Sequence, residues 1–376
     1  LSIDEGGTDF CLWYFGEGRP SMSNPNEPAR KSASGGPLNS ALHRGIRVNR
    51  EASFDVVTEA MPEDPISQSL AKGILPELCR PLIELVESMV RVGGRVLDLG
   101  SHIGTFALSA AAMGRKVVAI EASPRNFELL AASIEANHFD SLRLVHAAVS
   151  DRAGALRFFA NGPFGHVAAD GVNDGVVTVP ALAVDDLLKT VGWDRVDFVK
   201  LDIEGSEIAG LLGMSGLLNR ADAPPIFVES NGHTLHMFGE SPRTLKATLI
   251  AYGYQLFHVE HRRLIPVGLD DFQGSTTVDY LAVKAVPAIG RQWRFDGPMK
   301  TREQIRRVRE SCLSPIPELR RYAARSIGHA PAAIRSDWRI VEAVDLLKVD
   351  RDPEVRRAAA PLALSATTRP WYRFWS

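Results

Sequence analysis

From Arg95 to Ser230 the chain alternates short β-branched runs with longer stretches rich in Ala and Leu, and no other feature limits its fold as much. Strand, helix, strand in succession is the pattern of a parallel sheet whose crossovers are helices. The apolar runs predict strands at Arg95–Leu99, Lys116–Glu121, Leu142–Val149, Val196–Asp202 and Ile226–Ser230, with helices over Phe106–Met113 and Asn126–Asn137. Two later runs, Gln255–Val259 and Val278–Ala285, complete a seven-stranded, mostly parallel α/β sheet with helices on both faces. Right-handed crossovers place the strand C-termini on one edge, where an open sheet of this kind binds its ligand.

The flanks read differently. Residues 16–45 are dense in Gly, Pro, Ser and Asn and poor in aliphatics, so residues 1–60 are expected to form a flexible segment or loose lid. From about Pro65, Leu75, Leu78, Leu82, Leu85, Val86 and Met89 recur near helical spacing and Gly93-Gly94 closes the run, opening a domain over residues 61–297. Beyond Pro298 no strand pattern survives. There Pro317-Glu318-Leu319-Arg320-Arg321-Tyr322-Ala323-Ala324 returns 36 residues later as Pro353-Glu354-Val355-Arg356-Arg357-Ala358-Ala359-Ala360. This repeat is similar to the helix pairs of HEAT-type solenoids, in which Pro starts a helix and small residues let neighbours stack. Residues 298–376 are therefore read as a HEAT-like helical extension. Two copies fall short of the roughly three a free-standing solenoid needs, so the extension should lean on the preceding domain, with Trp371-Tyr372-Arg373-Phe374-Trp375 anchoring its last helix.

Composition narrows the function. A hydrophobic content of 45% with 23% charged residues is that of a globular protein. No run approaches the roughly 18 apolar residues of a membrane span, and the N-terminus lacks a basic-then-apolar leader, so a cytoplasmic protein with no membrane span is expected. Cys11, Cys79 and Cys312 are too scattered for a metal or disulfide framework and read as ordinary thiols. The net charge of −2 conceals an asymmetry: residues 301–376 hold 15 Lys+Arg against 9 Asp+Glu, and the rest 28 against 36. The basic tail reads as solvated helix faces or as a contact for a protein partner or a second copy.

The ligand loop follows the first strand of the alternation, in Asp98-Leu99-Gly100-Ser101-His102-Ile103-Gly104-Thr105. Gly100 lets the backbone turn sharply against a ligand, Gly104 allows close approach to the new helix, and that helix presents free N–H groups. The G-x-G-x-x-G fingerprint of dinucleotide binding is absent. A wider loop with an acid one step ahead of it suits S-adenosylmethionine, which has an amino group, a carboxylate and a sulfonium but no pyrophosphate. Asp98 faces the amino group in this reading. Glu121, 23 positions on at the next strand end, accepts the ribose hydroxyls, and Ala148 and Val149 at the third end line the adenine. The alternative is that Asp98 and Glu121 cap their following helices.

The octet Lys200-Leu201-Asp202-Ile203-Glu204-Gly205-Ser206-Glu207 puts four ionisable groups at another strand end. Ion pairing of Lys200 with a carboxylate accounts for part of it. Together with the loop, Glu121, Ala147-Ala148-Val149, Val228-Glu229-Ser230 and the turn at Gly253, the octet resembles FkbM-type methyltransferases, which join a DxGxxxG loop to a K-x-D-x-E-G-x-E strand end. The likeness runs from about Asp64 to Ala285. It implies a class I, Rossmann-like fold and an S-adenosylmethionine-dependent O-methyltransferase acting on a hydroxyl of a sugar, glycan or polyketide-like metabolite. The cofactor set it implies is Asp98, Gly100, Ser101, His102, Gly104, Thr105, Glu121, Ala122, Ala148, Val149 and Asp202. Ser101-His102 stands where the family has Ala-Asn, and Ala122 where Pro is common.

For the chemistry, Asp202 or Glu204 positions cofactor and acceptor, His233 after the fifth strand takes the proton, and Lys200 can hold an anionic acceptor. His102 is a second candidate base. Asp202, Glu204 and Glu229 form a weak carboxylate set, and no metal is predicted. Two rival readings remain: a scaffold that presents the basic tail to a partner, and a nucleic-acid methyltransferase. The acidic body and the missing Asn/Asp-Pro-Pro-aromatic signature weigh against nucleic acid.

Overall fold

The computed structural model describes residues 40–59, 65–160, 165–168, 175–271, 277–285, 289, 292–296, 301–330 and 332–364. Contacts group them into two compact units, one reaching to Ile203 with Leu212–Pro224 added, the other made of Glu204–Leu211 and the residues from Pro225 onward. The Trp371–Trp375 cluster and most of the expected flexible segment lie outside the described residues.

The first unit opens with an antiparallel hairpin, β1 (Ser40–Arg47) and β2 (Ser53–Glu59), where the sequence reading placed flexible chain. Its logic is the period of two: Phe54, Val56 and Thr58 are buried at alternate positions. The helices α1 (Pro65–Ala71) and α2 (Arg80–Met89) follow, then β3 (Arg95–Leu99), α3 (Thr105–Ala112), β4 (Lys116–Glu121) and α4 (Pro124–Asn137). Side chains of α4 meet the free edge of β2, for Asp55 N–H donates to Asn137 Oδ1 at 2.7 Å and Val57 N–H to Ser133 Oγ at 2.9 Å. These partners lie 82 and 76 residues away, so local composition could not announce them.

The expected strand Leu142–Val149 is split. β5 (Leu142–His146) stays beside β4, whereas β6 (Ala148–Val149) turns into a second sheet with β7 (Gly154–Phe159), β8 (His166–Val167) and β9 (Val176–Leu182). After α5 (Val184–Thr190) comes β10 (Phe198–Leu201), shorter than expected and ending before Asp202. β10, β3, β4 and β5 lie parallel in that order. The chain steps outward from β3 to β5 and then returns to β3's other flank with β10, so β3 is the topological switch point at which such sheets open a crevice. β3 is buried almost throughout and α3 on every side, as expected for a parallel core covered by helices.

The chain then passes through α6 (Glu207–Gly213), and α7 (Ser215–Leu218) lies in the first unit. The second unit continues with β11 (Ile226–Asn231), α8 (Gly232–Met237), α9 (Pro242–Ala251), β12 (Gln255–Glu260), β13 (Arg263–Val267), β14 (Thr277–Val283) and the short β15 (Arg294–Phe295). Their order is β15-β13-β12-β14-β11, antiparallel except for β13 with β15. Four strands in the first unit's parallel set and five here exceed the seven expected. The extra pair arises because the chain reverses at His261, with φ of 53°, and β13 pairs back on β12.

Helices α10 (Thr301–Cys312), α11 (Pro317–Ile327), α12 (Ala332–Arg335), α13 (Trp338–Lys348) and α14 (Pro353–Ala359) complete this unit around Val308, Ala323, Ile327, Val344, Leu347 and Val355. Each copy of the sequence repeat begins a helix with Pro in its first turn. Arg320 of the first copy forks onto Asp350, just ahead of the second, at 2.7 and 3.0 Å. The helices rest on the strands of the same unit: the Tyr322 ring sits against Gly232, and Arg307 pairs with Glu260 at 2.7 Å. Among the described residues no helix is long and apolar enough to cross a membrane.

Candidate functional site

The loop after β3 is built for close backbone approach. Gly100 has φ of 80°, and a Cβ there would stand 1.8 Å from the Asp202 carbonyl oxygen, so only glycine fits. The Gly100 and Ser101 N–H groups both donate to Ile120 O at 3.0 Å, and Ser101 Oγ donates to Asp98 O at 2.9 Å. Gly104, with φ of 88°, is the N-cap of α3, and a Cβ on it would strike Leu130 Cδ1 at 2.2 Å. Thr105 Oγ1, in the first turn of α3, is buried without a partner among the described residues.

Two carboxylates close the site. Asp98 is fully buried, and neither of its oxygens receives a well-formed hydrogen bond. Register pairs it with Lys200 across β3 and β10. The Lys200 ammonium lies 3.5 Å from Asp98 and 3.2 Å from Asp202, and donates to Gly100 O at 2.6 Å. Burial raises the Asp98 pKa to about 6 even though Lys200 pulls it down. Glu121 is also buried. It accepts the His102 N–H at 2.7 Å and the Ser123 N–H at 2.9 Å, yet desolvation outweighs these bonds and pushes its pKa up to about 7. Helix caps do not explain either acid, because Gly104 caps α3 and Ser123 caps α4.

Such a site can take a cationic group against Asp98 and hydroxyls against Glu121, each restoring interactions that burial removed. S-adenosylmethionine offers an ammonium, a sulfonium and ribose hydroxyls, and the orphaned Asp98 carboxylate fits the ammonium. Ala122 and Ala148 share a small apolar cluster with Phe158 and Val179, and Val149 is buried beside it in sequence. Phe158 and Val179 were missed by sequence reasoning, since the sheet that carries them was not foreseen.

The remaining candidates belong to the second unit. Glu204 takes φ of 51°, and Gly205, with φ of 100°, lies so near α8 that a Cβ would come within 2.6 Å of Thr234 O. Glu207 accepts the Gly205 N–H at 3.0 Å. Carboxylate oxygens of Glu204 and Glu229 come within 4.8 Å of one another. His233 is exposed at the start of α8, its N–H held by Asn231 Oδ1 at 3.0 Å, and it lines a cavity of about 560 Å³ in this unit. That cavity was not foreseen; its only signal was the basic charge of the tail.

Comparisons with known proteins follow the same line. A family profile described as Methyltransferase FkbM domain matches residues 98–256. No curated protein matches the sequence. Among solved structures the chain is similar to precorrin-6y C5,15-methyltransferase from Geobacter metallireducens, at 13% identity over 55% of this chain and 87% of that one, with a TM-score of 0.33. It is also similar to Aeropyrum pernix fibrillarin with natively bound S-adenosyl-L-methionine, at 13% identity over 55% and 73%, with a TM-score of 0.32. Likenesses this loose decide nothing about substrate. Residues 98–256, which begin at the buried acid of the switch-point strand, form an FkbM methyltransferase domain, and its methyl donor is S-adenosylmethionine.

Proposed function

We propose that the chain is an O-methyltransferase that methylates a hydroxyl of a sugar, glycan or polyketide-like metabolite. The observation that carries the reading is the pair of buried carboxylates, Asp98 and Glu121, whose pKa values burial raises, at adjacent strand ends beside the switch point. Asp98 holds the donor's amino group. Glu121 accepts its ribose hydroxyls while keeping the loop closed through His102 N–H. Gly100, Ser101, His102, Gly104 and Thr105 shape the floor, Ala122, Ala148 and Val149 line the adenine, and Asp202, tied to Lys200, orients the donor.

When bound, S-adenosylmethionine supplies a methyl group on a positively charged sulfur. His233 accepts the proton of the acceptor hydroxyl as the new oxygen–carbon bond forms and the sulfur–carbon bond breaks, and Glu204 helps position that hydroxyl. Lys200 offsets part of the burial that raises the Asp98 pKa, so that the pocket stays attractive to a cation. Cytoplasmic location and a partner contact through the basic helices complete the reading.

The test is calorimetric titration with S-adenosylmethionine and its demethylated product, followed by a turnover screen on sugars and polyketide hydroxyls. Glu121→Ala removes two charge-assisted bonds and should weaken donor binding about a hundredfold. His233→Ala should leave binding intact while lowering turnover by about 10²-fold or more. Wild-type protein that is folded yet binds neither ligand would sink the proposal, and unchanged turnover in His233→Ala would remove that residue from the chemistry.

A further inference from the structure

The cavity of about 560 Å³ that His233 lines lies wholly within the second unit, and its walls come from two parts of the chain. One side is given by α8 and α9, with His233, His236 and Lys246. These helices belong to the stretch that the family profile matches, residues 98–256. The other side is given by α11, α14 and the residues just after it, with Ala358, Pro361 and Leu362. That wall comes from the helical extension, an addition to the matched domain. The two sides are joined beside His233, because the Tyr322 ring of α11 sits against Gly232, the residue before it. A molecule that reaches His233 from this cavity must therefore fit against the extension.

The wall favours an apolar body. Carbon makes up most of the exposed lining, and the stems of charged side chains add to it. Several charged groups are turned to protein partners: Arg243 pairs with Asp270 at 3.1 Å, Arg357 with Glu354 at 2.8 Å, and Lys246 donates to Gly268 O and Asp271 O at 3.1 and 2.6 Å. His236 is held toward its neutral form by burial, Arg325 and His233. The volume suits a small organic molecule. A skeleton clothed in hydroxyls would give up its water to a surface of carbon, whereas a hydrocarbon skeleton gains by leaving water.

We propose, resting on the methyl-transfer reading, that this cavity is the acceptor's site and that the helical extension selects the acceptor, with Ala358, Pro361 and Leu362 holding the apolar skeleton of an alcohol whose hydroxyl lies at His233. The hydroxyl oxygen forms the bond to the methyl carbon, its proton goes to the His233 imidazole, and the sulfur leaves with the electron pair of the broken sulfur–carbon bond. Ala358, Pro361 and Leu362 take no part in that exchange; they decide which alcohol undergoes it.

The experiment uses the full chain with S-adenosylmethionine and two probe alcohols, 2-decalol, a hydrocarbon skeleton with one hydroxyl, and methyl α-glucopyranoside, hydroxylated on every side. Mass spectrometry reads methyl ether formation and calorimetry reads donor binding. 2-Decalol should be methylated with a kcat/KM about tenfold or more above that of the glucoside, the scale on which a pocket discriminates by a few groups. Ala358→Phe, which puts a ring into the cavity, should raise KM for 2-decalol about tenfold or more while donor affinity stays at the wild-type value. Pro361→Trp, at an exposed position beyond the last helix, should act in the same direction without touching the core, and thermal unfolding of both variants tells loss of binding from loss of fold. The inference is overturned if wild-type protein that binds the donor leaves 2-decalol unmethylated, if it methylates the glucoside as well as 2-decalol, or if both folded variants keep the wild-type KM. Failure of the underlying reading looks different: the wild type binds no donor, or His233→Ala methylates 2-decalol as well as the wild type, and either result overturns both.

Discussion

The strand-end pocket and the cavity under α11 are opposite solutions to the same problem. In the first unit, anions are buried so completely that Asp98 and Glu121 lean toward their neutral forms. In the second, cations are only half-buried, and burial together with Arg321 lowers the Arg325 pKa while Glu354 raises it. Full burial makes the first site costly to hold empty and selective for a ligand that brings positive charge. Partial exposure makes the second cheaper to keep and more tolerant of its occupant.

The sharpest way to break this contrast is at the glycines. Gly100→Ala would drive a Cβ into the Asp202 carbonyl at a backbone angle that other residues avoid, and should cost more than about 4 kcal/mol. Gly232→Ala drives its Cβ to 2.1 Å from the Tyr322 ring, an overpacking of movable atoms worth about 1–3 kcal/mol. Denaturant unfolding of the two variants measures both; equal costs would mean that the pocket walls do not differ in rigidity.

A smaller effect separates the charges. The folded pKa of Asp98, about 6, lies above the ordinary 3.8, so the folded chain gains by binding a proton. That gain is whole below about pH 4 and is lost as pH rises through about 6. Asp98→Asn removes the ionised form and should therefore stabilise the ligand-free protein by about 2 kcal/mol at pH 8, while weakening donor binding. Thermal unfolding from pH 4 to 8 is the measurement, and an Asp98→Asn protein less stable than wild type at pH 8 would show that the Lys200 pair outweighs desolvation.

The smallest effect lies beside the cavity. Burial lowers the Lys246 pKa from 10.5 to about 8, so the folded chain prefers the neutral amine and gains stability as pH rises above 8. The gain between pH 8 and 9 should be about 1 kcal/mol in wild type and absent in Lys246→Met. A flat wild-type profile across that interval would mean that the Asp270 and Asp271 charges offset the burial.

Much of the geometry of the proposed donor site was legible because its parts are local. Asp98 to Thr105 is one strand-to-helix turn, and Glu121 closes the adjoining unit, so spacing alone put them on a common edge. The β1–β2 hairpin was not legible, because its edge is satisfied by Ser133 and Asn137 on a distant helix. Nor was the departure of Ala148–Val149 into a second sheet, which depends on pairing with Ala181 and Leu182. The cavity combines Glu240 with Arg321 and Arg325, and nothing in either local pattern points to the other.

By itself, then, the sequence determined the alternation of β3, α3, β4, α4 and β5, the glycines of the ligand turn and the family of the central domain, because these follow from short-range periodicity, backbone sterics and local motifs. Only the tertiary structure decided which charges are buried and which are paired. Desolvation is a property of packing, and packing joins residues that the sequence keeps far apart.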